Sequence, residues 1–498
     1  MIAFALAITY LVATLAAGFA VKRRRGRDTT MRQFFVADGG MPLFAVTTML
    51  FGDLIAASTT TGTAGMGYSM GASALWGIWG SSLGCLVFSV FLCDFFFKIR
   101  PTGVTTGPEA IGLRFNQKIR YLFLIFTLIP LLIIFSTQVT AASMYLSSML
   151  GIDGDLSTLI VSVLFLVMAL LGITGIAEMN KVNAFVIFFG LSFSAIVCMN
   201  YVGGTRTLTQ TLPASYFDLF ANGVPSALAQ FIGGALGFSL STTSIAIAFC
   251  SRSEKIARQS HAIVAVVSAV FALAPTAIGL CAAASCGDIR PDTALYAMTS
   301  LVDPWLAGIA VMAVFAAIFS TGPWFLLSAS QLIVRELYLP LKRHRGKSVT
   351  EKQSMRTSRL SILFILIGSV AISGTNTSLL NSLMSAAQIK AIATILLLIG
   401  LYWKRTTNRA GFAGLLVGGT LSTIWYIFGN PFGIQPLWIG ASSSILIIVV
   451  VSFISSKTSI SADYLRYEAR VRKQCASNQG DDDSHTNRGK GASVIYLL

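Results

Sequence analysis

Charge is what this chain has least of. Of its 498 residues only 11% are Asp, Glu, Lys or Arg, against about 25% in soluble domains. A chain this poor in charge and 54% hydrophobic is neither a disordered protein nor an ordinary soluble enzyme. Histidine is nearly absent. The three present, His261, His344 and His485, stand far apart, so no His/Cys metal constellation exists. Five of the seven cysteines lie in apolar runs, Cys286 closely follows one, and Cys475 is near the C-terminus. That excludes a disulfide framework. Catalytic histidines, paired carboxylates and nucleotide motifs are all missing, which speaks against an enzyme.

What the chain does have is long apolar runs, with a mean hydropathy of +0.74. Thirteen segments read as membrane-spanning helices: about 2–21, 43–70, 71–97, 121–149, 157–173, 183–203, 225–250, 261–285, 305–334, 359–374, 377–402, 411–429 and 437–456. Runs this long are not strands, and open sheet edges cannot face lipid. The fold class expected is therefore an all-α membrane protein of about 13 transmembrane helices. Its 44 glycines suit helices packed through small side chains.

The net charge of +16 is a topology signal rather than a nucleic-acid one. The basic cluster Lys22-Arg23-Arg24-Arg25 follows the first apolar run, whereas a cleaved signal peptide carries its charges before it. The positive-inside rule then puts the N-terminus outside. Alternation along thirteen spans leaves only Arg206 and Arg290 outside and Lys390 within a span, so 33 of the 36 Lys and Arg fall on inner loops and the tail. The expected location is the plasma membrane, as a multi-pass protein of prokaryotic inner-membrane type with a cytoplasmic C-terminus. The expected partners are the lipid bilayer and a small-molecule solute, with no nucleic acid and no obligate protein partner. The polar tail, 457–498, carries Asp481-Asp482-Asp483 and reads as a short amphipathic stretch followed by disorder.

Polar groups inside hydrocarbon are the places to look for chemistry. Asp53 and Lys390 both fall near mid-depth. Each alone would cost about 3 kcal/mol, less if they face one another or a wet cavity. They are candidates for a coupling or gating pair, with a structural ion pair as the equal alternative. Asp94 lies at an inner span end beside Lys98 and Arg100, where local pairing explains it. The second span holds Ser58-Thr59-Thr60-Thr61-Gly62-Thr63-Ala64-Gly65, a poor regular helix whose glycines permit unwinding and whose hydroxyls can cover freed backbone groups. The seventh span has a similar interruption, Gly233-Gly234-Ala235-Leu236-Gly237 followed by Ser239, Ser241, Thr242, Thr243 and Ser244. The two spans are five places apart in the order, an odd offset, so one is entered from inside and the other from outside. That is the arrangement of inverted five-helix repeats with broken helices at mid-depth. In the ninth span Ser320 and Thr321 are adjacent hydroxyls followed by Pro323. Hydroxyls with freed carbonyls suit a dehydrated monovalent cation, although such side chains also bond back to their own helix.

Four stretches resemble the sodium/solute symporter family, which includes the sodium–glucose, proline, pantothenate and sialic acid transporters. They are 58–65 with Tyr68-Ser69-Met70-Gly71 and Trp76; Thr102, Thr105-Thr106, Pro108-Glu109 and Arg114-Phe115; Phe319-Ser320-Thr321 with Leu326-Leu327, Ser330 and Arg335-Glu336-Leu337-Tyr338; and Gly400-Leu401-Tyr402-Trp403-Lys404-Arg405 with Asn408, Gly411, Gly414 and Gly418. The resemblance implies a leucine-transporter-like fold of two inverted five-helix repeats. Repeat one would be 43–203 and repeat two 225–402, after an extra N-terminal helix and basic inner loop (1–42) and before two C-terminal helices (411–456). It implies sodium as the coupling ion, held by the carbonyls of Gly52, Ile55 and Ala317 and the hydroxyls of Ser320 and Thr321. It implies solute contacts at Ser58 and Thr59, and at Gln138, which could equally be a packed polar residue. Three departures stand out. Asn180, followed by Asn183, occupies a position where the family often has Asp, which bears on any second cation site. Thr243 and Ala248 replace a Pro and an Arg. Lys390 stands where the family has a small residue, and an amine there could stand in for the ion's charge. The function expected is sodium-coupled symport of a small polar solute, with an organic anion or zwitterion weakly favoured. Proton-coupled or facilitative transport through Asp53 and Lys390 is the alternative, and a transporter-like nutrient sensor the second.

Overall fold

The computed structural model describes residues 2–25, 30–373, 379–455 and 468–469. The expectations for the tail lie outside the described residues. Among the described residues the protein is helical throughout, with no strand. The first half comprises α1 (Ile2–Arg25), α2 (Met31–Val36), α3 (Leu43–Leu54), α4 (Thr63–Met70), α5 (Leu75–Val87), α6 (Cys93–Ile99), α7 (Gly107–Arg114), α8 (Gln117–Leu150), α9 (Gly154–Leu170), α10 (Gly172–Val202) and α11 (Gly204–Thr211). The second half comprises α12 (Val224–Ser239), α13 (Thr242–Cys250), α14 (Glu254–Phe271), α15 (Leu273–Ser285), α16 (Ala294–Val302), α17 (Pro304–Leu332), α18 (Leu339–His344), α19 (Glu351–Ser373), α20 (Leu379–Tyr402), α21 (Asn408–Ile427) and α22 (Pro436–Ile454).

The described parts of the expected segments are mostly helical, but they divide differently. Nine described helices are long and apolar enough to cross a membrane, ten if the bent pair α12–α13 counts as one span. The expected spans 2–21, 43–70 and 157–173 coincide in large part with the shorter apolar stretches Thr9–Val21, Leu43–Leu54 and Gly154–Leu170. Expected spans two and three meet at Gly71. Its φ of +63° is a conformation that L side chains avoid, and the Tyr216 backbone occupies the space a Cβ would need. Helix α10 carries exposed Phe185, Phe189, Phe193 and Ile196 along one face. An apolar stripe of that kind suits lipid rather than water.

Two groups of four spans organise the bundle. In one, α4 packs on α15, α5 on α12 and α14, and α3 on α14. In the other, α8, α9, α17 and α19 all contact one another. Helix α10 crosses α3, α15 and α17, and α20 joins α8 to α12. Loop contacts keep the parity that alternation requires. Trp76 donates to the Leu219 carbonyl and Tyr68 to that of Gly287 at one end. At the other, Arg100 donates to the Gly39 and Ser251 carbonyls, and the Met31 amide to Glu351.

Candidate cation and solute site

Helix α3 stops at Leu54. Ile55 is extended (φ −94°, ψ 94°), and the chain resumes as a wide π-helical turn over Ser58–Gly62 before α4. Such a break frees backbone groups that need new partners in a dry interior. The hydroxyl run supplies them. Thr59 Oγ1 accepts from the Ala56 amide at 2.7 Å and lies 3.1 Å from the carbonyls of both Leu54 and Ala56. Gln138 Oε1 on α8 accepts from the Ala57 amide at 3.1 Å. Thr59 and Gln138, expected as solute contacts, thus also cap the break. Ser58 is fully buried and its hydroxyl has no protein partner. Gln138→Leu should strand the Ala57 amide, at a cost of about 1–3 kcal/mol. The melting temperature of the purified protein is expected to fall by several degrees without solute present. An unchanged melting curve would leave Gln138 with no capping role.

The second break lies between α12 and α13, which meet at 43°. Ser241 Oγ caps α13 by accepting from the Ser244 amide at 2.9 Å. Ser244 then bonds His261 Nε2 at 3.0 Å. His261 Nδ1 donates to the Ala257 carbonyl at 2.8 Å, so Nε2 is the acceptor. The His261 ring stacks on Phe88 with centroids 4.2 Å apart. This buried histidine anchors α13 to α14, although its position at the edge of an apolar run gave no hint of it.

Helix α17 crosses the first break. Ser320 Oγ lies 2.9 Å from the Gly52 carbonyl and 2.8 Å from that of Ala317, and Thr321 Oγ1 lies 2.8 Å from each. The two hydroxyls are 3.3 Å apart. These are four short O···O contacts served by two hydroxyl protons. The cluster has more lone pairs than protons and no nitrogen or sulfur within it, a donor set that fits a monovalent cation. Gly52 is the only residue type that fits its position without movement, because a Cβ there would lie 3.0 Å from that of Ser320. Ile55 is at the break, and among the described residues no hydrogen bond joins its carbonyl to the Ser320 or Thr321 hydroxyls.

Asn180 was a departure at the level of sequence. In the structure its Nδ2 donates to the Ser320 carbonyl at 3.3 Å. Asn183 Nδ2 donates to Asn180 Oδ1 at 3.1 Å, and Tyr10 on α1 donates to Asn183 Oδ1 at 2.7 Å. All of these groups are buried. The extra N-terminal helix thus reaches the oxygen cluster through a chain of amides. Tyr10→Phe breaks its first link, and we expect sodium half-saturation to rise about threefold, since interhelical bonds of this kind contribute about 0.6 kcal/mol on average in membranes. Sodium titration of transport checks this, and an unchanged half-saturation would restrict Tyr10 to packing.

Asp53 and Lys390 line one cavity of about 50 Å³, together with Thr59, Ser241, Thr242 and Thr243. No direct ion pair joins them among the described residues. Thr243 instead donates to Asp53 Oδ2 at 2.8 Å, while Oδ1 has no partner. Thr243 is a site residue that sequence reasoning missed as such. The signal was present in its replacement of a proline. At one end of the bundle a cavity of about 490 Å³ is lined by Ser143, Tyr145, Arg290 and Asp292 among others.

The sodium:solute symporter family matches residues 34–418. The chain belongs to that family. It is a multi-pass membrane transporter with sodium as the coupling ion. The symporter is 22% identical to a sodium/glucose cotransporter of Vibrio parahaemolyticus, over 91% of this chain and 90% of that one. It is 24% identical to a sodium/proline symporter of Staphylococcus aureus strain USA300, over 80% and 82% respectively. Among solved structures it is similar to a sodium-coupled sialic acid symporter in a substrate-bound outward-open state, with a TM-score of 0.78 and 18% identity over 92% of this chain and 98% of that one. It is also similar to Mhp1, a nucleobase–cation symport-1 family transporter in a closed conformation, with a TM-score of 0.58 and 14% identity over 87% and 98%. The fold is therefore of the leucine-transporter type. The named solutes of these proteins differ in chemistry, so kinship does not identify the solute of this symporter.

Proposed function

We propose that the protein carries a small polar solute, an organic anion or zwitterion, inward with sodium by alternating access. The observation that carries this reading is the proton-poor oxygen cluster in which Ser320 and Thr321 reach across to Gly52. Sodium at that point ties the break to α17 and holds the solute cavity beside Asp53, Thr59 and Lys390 in its binding arrangement. Coupling is reciprocal: each ligand raises the other's affinity. The protein sits in the plasma membrane with its N-terminus outside and its C-terminus in the cytoplasm. No covalent chemistry is involved.

The two inverted repeats, 43–203 and 225–402, then rock about this point. One sodium moving through about 100 mV supplies about 2.3 kcal/mol, and a tenfold gradient adds about 1.4 kcal/mol. Together these sustain solute accumulation of a few hundredfold. A thermal-shift screen of the purified protein against metabolites, with and without sodium, tests the proposal. A solute whose stabilisation grows with sodium supports it, and solutes that stabilise equally in potassium overturn it.

A second reading has its own observation. Asp53 keeps one carboxylate oxygen unpartnered in the cavity that Lys390 also lines, an arrangement able to load and release a proton. Uptake that persists in sodium-free buffer and responds to a pH gradient would favour proton coupling.

A further inference from the structure

A cavity of about 210 Å³ lies at the end of the bundle where α2, the segment after α6, the end of α13 and the end of α17 meet. Its lining includes Arg32, Arg100 and Arg335 and contains no Asp or Glu. Arg335 is partly neutralised by Glu109 at 2.9 Å. Burial alone would raise the Glu109 carboxyl, but the Arg335 guanidinium holds it below the usual carboxylate range. The Nε–H of Arg335 is nevertheless buried without an acceptor. Among the described residues Arg100 donates to backbone carbonyls, those of Ser251 at 3.0 Å and Gly39 at 3.2 Å. Neither Arg100 nor Arg32 has a carboxylate partner among the described residues. Glu351, which accepts from the amide of the wall residue Met31, adds a second nearby carboxylate acting on Arg335, so the positive excess rests on Arg32 and Arg100. Guanidiniums in excess of their counter-charge concentrate anions and recognise oxyanions through paired N–H donors.

The cavity also lies at the far end of two helices that run from the central site, α13 and α17. Phe249, at its wall, is the penultimate residue of α13, the helix whose first turn carries Thr243. Gln331, also at its wall, is ten residues beyond Thr321 on α17, about 15 Å along the axis. Beside it the two broken segments are held together by backbone bonds, from the Met41 amide to the Cys250 carbonyl at 2.9 Å and from the Arg252 amide to the Met41 carbonyl at 3.0 Å. Arg100 grips the chain on both sides of that seam.

We infer that this chamber is a second, inner anion site, where Arg32, Arg100 and Arg335 receive the carboxylate of the transported solute before release. The inference rests on the symport reading and narrows its substrate class to carboxylates. At about 30 Å³ per water, the volume holds roughly seven waters, the size of a small organic acid. An anionic lipid headgroup shares the oxyanion chemistry and is the occupant to be excluded.

The test uses the full chain in nanodiscs of neutral phosphatidylcholine. Thr105, half-buried on the cavity wall, is changed to Cys, with the native chain as background. Methanethiosulfonate reagents carrying a sulfonate or a trimethylammonium group then report which charge enters. The sulfonate reagent is expected to react at least about tenfold faster, to be slowed by acetate at matched ionic strength, and to lose its advantage in Arg32→Gln and Arg100→Gln. Arg32 is exposed and holds no backbone group, so Arg32→Gln keeps the test open if Arg100→Gln fails to fold. Equal rates, or a faster cationic reagent, overturn the proposal. Slowing by added phosphatidylglycerol overturns the carboxylate assignment in favour of lipid. Charge selectivity does not require sodium. A chain that discriminates by charge but shows no sodium-induced stabilisation would therefore sink the symport reading alone, and the reverse pattern would sink only the inner site.

Discussion

Ser320→Ala and Thr321→Ala are each expected to weaken sodium binding by about 10- to 100-fold, and the double variant by more. Each hydroxyl faces two carbonyls at 2.8–2.9 Å. Removing one takes away an oxygen that a bare cation would use, and hydrogen bonds and dipoles directed at charge contribute about 1.5–3 kcal/mol. The remaining carbonyls of Gly52 and Ala317 then face each other with fewer protons between them. The helices need not move, because both residues are wholly buried in α17 and alanine is the best helix former. Thr321→Ser keeps the oxygen and should retain most of the affinity. Sodium-dependent stabilisation and the sodium half-saturation of uptake both read the effect. Wild-type sodium dependence in both alanine variants would remove the cation from this position.

Lys390→Met should be the second large change, and Asp53→Asn its counterpart. Removing one member leaves the other as a charge in a buried cavity of about 50 Å³, the situation that makes single disruptions of buried pairs costly. Each single variant is expected to lose stability, while the double variant recovers part of the loss, giving a coupling energy of about 0.5–3 kcal/mol. Function separates the roles. If Lys390 meets the solute or substitutes for ion charge, Lys390→Met changes anion selectivity or the number of sodium ions per solute. Unaltered kinetics together with strong coupling in the stability cycle would make the pair structural. Additive effects on stability would mean that the two charges act on different neighbours.

Much of the site was legible locally. The run from Ser58 to Gly65 announced a break because five hydroxyls, four of them consecutive, and two glycines are hard to place in a regular apolar helix, and the helix does stop four residues before it, at Leu54. The pair Ser320 and Thr321 stood out for the same reason. Roles were harder to read. Thr59 and Gln138 were marked as polar groups facing a cavity, but a polar side chain at mid-depth has two employments, holding a solute or satisfying backbone freed by a break. Only the Ala56 and Ala57 amides pointing at them identify the second. Asn180 looked like a lost carboxylate, yet its amide does something a carboxylate cannot, donating to the Ser320 carbonyl while accepting from Asn183.

Composition and spacing by themselves determined that the chain is a bundle of apolar helices, where its basic loops fall, and where two of those helices are interrupted. These follow from rules that act within about twenty residues: hydrocarbon thickness, the demand for backbone partners, and the conformational freedom of glycine. Tertiary structure alone decided that Gly52 meets Ser320, that Tyr10 reaches Asn183, that Asp53 and Lys390 share a cavity, and that three arginines from separate segments line another. Those pairs are separated by 268, 173 and 337 positions for the first three. Hydrophobicity inside a bilayer does not choose between one helix face and the next. Steric fit and polar satisfaction choose, and both are properties of the assembled bundle.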